Sequence, residues 1–97
     1  MYIAVRRYKI KPGSIDELMR SVSEGFVPLI SQAPGFTAYY AADAGNDIVF
    51  SVSIFQDQSG ADESTRAAAD WVKQHLAALV EGPPEITAGE VKTYKAK

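Results

Sequence analysis

Residues 61–81 have the sequence ADESTRAAADWVKQHLAALVE and include the only tryptophan and the only histidine of the chain. At 100° per residue, Trp71 and His75 fall on one apolar stripe, and charged side chains occupy the opposite arc. The pattern predicts an amphipathic helix that ends at Gly82, before the helix-stopping sequence Pro83-Pro84. It also places His75 near the middle of the apolar face, where a surface histidine is not expected.

The segments around this helix predict the rest of the fold. Alternating residues predict strands at 2–10, 36–42, 48–55 and 86–94. A second amphipathic helix begins with the capping-box sequence Ser14-Ile15-Asp16-Glu17 and closes at 33–35, with Gly25 and Pro28 weakening its last turns. The order β-α-β-β-α-β is the ferredoxin-like arrangement of the α+β class, with one antiparallel sheet and both helices on one face. No repeat or linker divides residues 1–97, so we expect a single domain.

The strand alternation also assigns side chains to the two faces of the sheet. In the first strand Ile3 and Val5 lie on one face, while Arg6 and Tyr8 lie on the other. In the third strand, one face carries Val49, Ser51, Ser53 and Phe55, and the other carries Ile48, Phe50, Val52 and Ile54. Apolar residues therefore remain on the face without helices, which is uncommon on a monomer. We expect a homodimer in which the sheets of two copies pack together.

Composition narrows the classes of function. The 97 residues are 46% apolar and 23% charged with a net charge of −2, as in a soluble globular domain. No basic stripe follows a phosphate backbone, so we expect no nucleic-acid partner. One histidine and no cysteine cannot build a usual zinc site, so no metal is expected. The N-terminus begins a strand directly and no apolar run has membrane length, which favours a cytoplasmic protein without membrane contact.

The sequence also resembles a known family. The strand sequence AVRRYKIKPG (4–13), the PGF that follows the first helix (34–36) and the tryptophan of the second helix resemble the antibiotic biosynthesis monooxygenase family. This family belongs to the dimeric α/β-barrel superfamily, and the resemblance covers essentially the whole chain. It implies a homodimer in which two sheets form a barrel and each subunit has a pocket between sheet and helices. Some members oxidise aromatic polyketides with molecular oxygen alone, which implies no cofactor.

A haem-degrading branch of these proteins is a less suitable comparison. That branch uses an asparagine on the first strand, a tryptophan on the second helix and a histidine nearly three turns later. In this chain Arg6 stands at the asparagine position, Trp71 matches the tryptophan and the expected histidine falls near Glu81. The quinone-forming branch also relies on an asparagine and a tryptophan, with tyrosine and arginine nearby. Two of three haem-branch elements are absent, which argues against haem degradation.

Three residues are candidates for catalysis. A partly buried His75 would favour its neutral form and could take a phenolic proton near neutral pH. Arg6 would stabilise the charge of an enolate or phenolate, and Trp71 would form a wall beside an aromatic ligand. The candidate ligand-binding residues are Tyr8, Tyr40, Ser51 and Ser53. Each residue also has a structural interpretation, such as core packing for Trp71 and a hydrogen-bonded helix position for His75.

These features predict a cofactor-independent monooxygenase that acts on a small aromatic or polyketide-like molecule. The alternative is a non-catalytic dimeric ligand-binding or scaffold domain, in which Trp71 and His75 belong to the core. A cavity that reaches Trp71, His75 and Arg6 would favour the enzyme. A solid core, with His75 bonded to a backbone carbonyl, would favour the scaffold.

Overall fold

A computed structural model describes all 97 residues, and its elements follow the predicted order. The strands are β1 (Tyr2–Lys9), β2 (Phe36–Gly45), β3 (Ile48–Phe55) and β4 (Glu85–Glu90). The helical elements are α1 (Ile15–Ser21), a π-helical segment (Val22–Phe26), α2 (Val27–Ile30) and α3 (Gln58–His75). The ferredoxin-like α+β fold is confirmed. None of the helices combines the length and the apolar character needed to span a lipid bilayer.

The sheet has the strand order β2-β3-β1-β4, and all of its pairings are antiparallel. Arg6 of β1 pairs with Ser51 of β3, and Tyr39 of β2 pairs with Ser53. Residues that pair directly share a face, and so do residues two apart on one strand. These four side chains therefore project from the same face of the sheet.

The core lies between that face and the helices. One cluster of buried side chains contains Phe26, Ile30, Phe55, Ala61 and Ala68, and the other contains Ile10, Leu18, Val49 and Leu76. Trp71 packs against both clusters, so its ring connects the two halves of the core. Ile3, Val5, Val52 and Ile54, on the opposite face of the sheet, are only partly buried. The predicted division of the strands into two faces is confirmed.

The first helical stretch departs from regular α geometry near Gly25 and Pro28. The Val27 amide donates to the Val22 carbonyl, five residues earlier instead of four. This widening places Pro28 in the first turn of α2, where a missing amide hydrogen breaks no helical bond. Ser14 takes the N-cap position of α1, but its helical backbone angles leave its side chain without a capping bond. The predicted capping box is therefore wrong.

The helix predicted for 61–81 ends earlier than expected, at His75. The chain after it pairs with the end of β1: the Glu81 amide donates to the Lys9 carbonyl, and the Lys11 amide donates to the Leu79 carbonyl. This pairing supplies partners to backbone groups that would otherwise be unsatisfied beside the core. It is a long-range interaction, so the helical pattern of the sequence does not reveal it.

The last strand is also shorter than the predicted 86–94 and ends at Glu90. Its partner is β1, with Tyr2 opposite Glu90. The Val91 amide still donates to the Met1 carbonyl at 2.9 Å. The backbone pairing of β4 thus covers only part of the residues for which the alternating pattern predicts a strand.

Asp57 caps the N-terminus of α3. Its Oδ1 accepts a hydrogen bond from the Gly60 amide at 2.9 Å and from the Ser59 hydroxyl at 3.0 Å. The backbone of Asp57 is extended, as an N-cap requires. The Gly60 amide and then the Ser59 hydroxyl stabilise the carboxylate, which lowers the pKa of Asp57 below its ordinary value.

We predict that Asp57→Ala lowers the melting temperature at neutral pH, because the Gly60 amide loses its acceptor. A depressed folded-state pKa stabilises the fold above the ordinary pKa of 3.8, and this contribution disappears as the pH falls through the lowered value. The difference in melting temperature between wild type and Asp57→Ala should therefore shrink in acid. Asp57→Asn, which keeps a capping oxygen without the charge, is the control and should lie close to wild type at neutral pH. A constant difference at all pH values would contradict the assignment.

Candidate functional site

A cavity of about 40 Å³ lies between the sheet and the helices. Fourteen of its 16 lining residues are hydrophobic, and the other two are Arg6 and Ser51. A cavity of this size has room for water but is narrow for an aromatic ring. The apolar wall includes Tyr8, Leu18, Met19, Val22, Phe26, Tyr39, Trp71 and Leu76.

Arg6 is the polar centre of this cavity, and it is only 1% exposed. Its Nε donates to Ser51 Oγ at 3.3 Å, its Nη2 to Ser53 Oγ at 2.6 Å and its Nη1 to Thr65 Oγ1 at 3.3 Å. Because Ser51 and Ser53 belong to β3 and Thr65 to α3, the guanidinium links the sheet to the helical layer. All three acceptors are neutral hydroxyls.

The ion pairs of the chain lie elsewhere, on the surface. They join Arg7 to Glu85, Arg66 to Glu63 and Lys92 to Glu90. Arg6 therefore has no carboxylate partner within the chain. Burial lowers the pKa of Arg6, while the nearby tyrosines act in the opposite direction. A guanidinium nevertheless keeps its proton in proteins, so the cavity contains a positive charge at neutral pH.

Tyr8 and Tyr39 lie close to this charge. Burial raises the pKa of both phenols, and the positive charge of Arg6 opposes the rise. For Tyr39 the Ser51 hydroxyl also acts to lower the pKa. Since the net shift is upward from an ordinary pKa of 10.0, both phenols are protonated at neutral pH. Neither tyrosine is a counter-ion for Arg6.

Trp71 forms the helical wall of the cavity. Its ring centroid lies 5.6 Å from that of Phe26 and 5.0 Å from that of His75. The backbone of Gly25, in the π-helical segment, approaches the indole so closely that a Cβ there would lie 2.7 Å from Cζ2 of Trp71. The position of the ring therefore depends on the absence of a side chain at Gly25.

The structure brings together most of the predicted site residues. Arg6, Tyr8, Ser51 and Trp71 line the cavity. Ser53 is fully buried and reaches the cavity through its hydrogen bond with Arg6.

His75 and Tyr40 are placed differently from the prediction. His75 is exposed and does not line the cavity, although its ring lies beside that of Trp71, so its predicted burial on the apolar face is wrong. The reason is its position as the last residue of α3, where the helical layer no longer covers it. Tyr40 is 62% exposed and pairs with Val52 on the opposite face of the sheet, so its predicted place in the pocket is also wrong.

Two residues that the sequence analysis missed belong to the site. Tyr39, not Tyr40, faces Arg6, because β2 pairs with β3 so that Tyr39 lies opposite Ser53. Thr65 accepts a hydrogen bond from Arg6. The sequence spacing does indicate this position: Thr65 lies four residues after Ala61 and three before Ala68 and so shares their buried helical face.

Together these observations define a class of protein: a ferredoxin-like α+β domain with an apolar cavity and one buried cation between its layers. The sequence matches the family described as antibiotic biosynthesis monooxygenase over residues 1–80. The chain belongs to that family. No curated protein matches it significantly in sequence.

Solved structures with the same fold include proteins of known and unknown activity. Protein NE2512 of Nitrosomonas europaea, of unknown function, is 25% identical with a TM-score of 0.81, and the match covers 99% of this chain and 93% of that one. The monooxygenase from the ActVA-Orf6 gene of Streptomyces coelicolor, solved with nanaomycin D, is 16% identical with a TM-score of 0.75, covering 99% and 91%. An uncharacterized NIPSNAP domain protein from Burkholderia xenovorans is 16% identical with a TM-score of 0.70, covering 100% of both chains.

We predict that Gly25→Ala displaces the Trp71 ring and destabilises the fold by about 1–3 kcal/mol through overpacking. Within a helix, Gly→Ala usually stabilises a protein by up to about 1 kcal/mol. A decrease in the free energy of unfolding would therefore indicate the close contact with Trp71. Because Trp71 is the only tryptophan, its fluorescence should report the displacement directly. Ser23→Ala, at an exposed position of the same helical segment, is the control and should leave the Trp71 emission unchanged. Unchanged emission and higher stability in Gly25→Ala would refute the close contact.

Proposed function

We propose that this protein is a cofactor-independent monooxygenase that oxidises a small aromatic or polyketide-like molecule between its sheet and its helices. The observation that carries the proposal is the cavity itself, in which Arg6 supplies a single buried positive charge beside the aromatic wall of Trp71. Membership of the antibiotic biosynthesis monooxygenase family supports it. So does the fold shared with a Streptomyces coelicolor monooxygenase.

The chemistry requires an electron-rich substrate and molecular oxygen. A phenol or an anthrone reacts with O₂ to give a quinone and water, so that one oxygen atom enters the substrate and the other leaves in water. The substrate supplies all four electrons. It becomes a better electron donor as a phenolate or enolate, and the charge of Arg6 favours that anion in a site of low dielectric.

The proposal assigns the ionisation to Arg6 and not to a side-chain base. Tyr8 and Tyr39 have raised pKa values and remain protonated, and His75 lies outside the cavity. Arg6 would instead lower the pKa of the bound substrate, whose proton passes to water. Trp71 would hold the aromatic plane while the oxygen atom is added.

We predict substrate-dependent oxygen uptake with 1-naphthol or 1,8-dihydroxyanthrone, measured with an oxygen electrode against a protein-free blank. The product should be the corresponding quinone, formed at one equivalent per O₂ consumed. Arg6→Met should reduce the rate about 100-fold, as expected for the loss of an electrostatic stabiliser. Arg7→Met is the matched control, because Arg7 is exposed on the other face of the same strand. No uptake above the blank with either compound would refute the oxygenase.

A non-catalytic scaffold domain is the second candidate, and the volume of the cavity favours it. About 40 Å³ is far below the several hundred Å³ of typical small-molecule sites. Under this alternative, 1-naphthol would neither bind nor alter Trp71 fluorescence, and oxygen uptake would equal the blank.

We also propose that two copies of the chain associate through the sheet face that the helices leave uncovered. The central strands place Val5, Val52 and Ile54 on this face, and each is only partly buried in the single chain. Tyr40, 62% exposed, extends the same surface onto β2. A second sheet packed on this surface would remove it from water, and apolar burial is the main favourable term in association.

We predict a mass of about twice the 10.5 kDa of the chain by light scattering at tens of micromolar. Val52→Lys should shift the protein to the monomer mass, because it places a charge at the centre of the packed sheets. Ser23→Lys, which adds the same charge to an exposed helical position, is the control and should remain dimeric. A wild-type mass near that of the monomer would contradict the proposal.

A further inference from the structure

We propose that Arg6 binds a carboxylate, so that the natural ligand of the cavity is an amphipathic organic acid with an aromatic or similarly apolar body. The inference rests on the proposed ligand site, but it does not depend on the oxygenation reaction. It specifies the chemical class of the ligand, namely a molecule that is already an anion before it binds.

The charge balance around Arg6 favours an anionic ligand. The groups that face its guanidinium are Tyr8 of β1, Tyr39 of β2, Ser51 and Ser53 of β3 and Thr65 of α3. All of them are neutral at neutral pH. A buried charge is normally paired, because hydrogen bonds to neutral groups replace only part of its hydration. An anionic ligand would complete the pair.

Arg6 also has hydrogen-bond donors that no group of the chain uses. A guanidinium has five N–H groups, and Arg6 uses one on Nε, one on Nη1 and one on Nη2. One N–H therefore remains on each terminal nitrogen. These two donors are available to the two oxygens of a carboxylate, a group that arginine commonly binds through more than one N–H. A single enolate oxygen would use this arrangement less completely.

The rest of the lining favours a ligand with an apolar body. Apart from Arg6 and Ser51, only Tyr8, Tyr39 and Trp71 among the lining residues carry a polar side-chain atom, and the other residues offer hydrocarbon. Inorganic phosphate or sulfate, with four oxygen atoms, would place its far side against this hydrocarbon. An acid with one carboxylate at Arg6 and an apolar body along Trp71 and Phe26 leaves no polar group unpaired. The lining therefore selects an organic acid over a simple anion.

A purely structural role for Arg6 makes a different prediction. The three hydroxyl contacts would then serve only to tie α3 to β3, and ligand charge would have no influence on binding. The two roles are separated by comparing an acid with its neutral amide, because the two molecules have almost the same shape.

The test measures binding of two matched pairs, benzoate with benzamide and 2-naphthoate with 2-naphthamide, to the full chain by calorimetry at neutral pH. The acids are ionised there, since a carboxyl group has a pKa of about 4. We expect each acid to bind at least about tenfold more tightly than its amide. Arg6→Met should abolish the preference for the acid. Arg6→Lys should keep part of it, because the positive charge remains without the planar guanidinium. Arg7→Met should retain all of it.

Equal affinities for acid and amide in the wild type, or no detectable binding of either acid, would overturn the inference. A preference that survives in folded Arg6→Met would overturn it as well. If circular dichroism shows that Arg6→Met does not fold, the affinities of the wild type and of Arg6→Lys for the acids and amides still test the inference.

The oxygen-uptake experiment separates this inference from the proposed function. Preference for the acids without any oxygen uptake would support carboxylate recognition while refuting the oxygenase. Oxygen uptake with uncharged naphthol, together with no preference for the acids, would support the oxygenase while refuting carboxylate recognition.

Discussion

The guanidinium of Arg6 constrains this fold more than any other group. It is 1% exposed at the centre of the sheet face that the helices cover, and its hydroxyl partners lie on β3 and α3. A slip of one residue between β1 and β3 would turn the arginine to the opposite face and leave Ser51 and Ser53 buried without it. The burial of one charge thus fixes the pairing of the two central strands and the placement of α3 above them. The same burial gives an otherwise apolar cavity its only charge.

Trp71 is the apolar counterpart of this constraint. Its ring contacts both buried clusters and Phe26, and it lies so close to Gly25 that no side chain fits between them. The π-helical segment allows this approach, because its wider turn carries Gly25 past the indole while Pro28 enters a new helical turn. The wall of the cavity and the irregularity of the first helical stretch therefore have one cause.

Some of this arrangement follows from the sequence alone. Strand side chains alternate with a period of two, so the shared face of Arg6 and Ser51 was predictable without a partner strand. The register of β2 was not predictable in this way, because an irregularity in its pairing between Phe36 and Ala38 decides whether Tyr39 or Tyr40 faces the helices. The exposure of His75 could not be predicted either, since α3 ends at His75 and the chain that follows pairs with β1. Local periodicity predicted the faces, whereas long-range pairing determined the ends of the elements and the members of the site.

The contrast between the two walls of the cavity shows how a narrow space could receive an aromatic acid. The sheet wall is continuous through three antiparallel pairings, and Arg6 is held on it by two hydrogen bonds, to Ser51 and Ser53. The opposite wall includes residues of the seven-residue helix α1 and of the five-residue π-helical segment beside Trp71 of α3, and α1 contributes the adaptable side chain of Met19. Short and irregular helical turns hold their geometry less firmly than a sheet does. Under the proposed ligand-binding role, space for a ligand would therefore open by movement of this part of the wall, while Arg6 stays in place on the sheet.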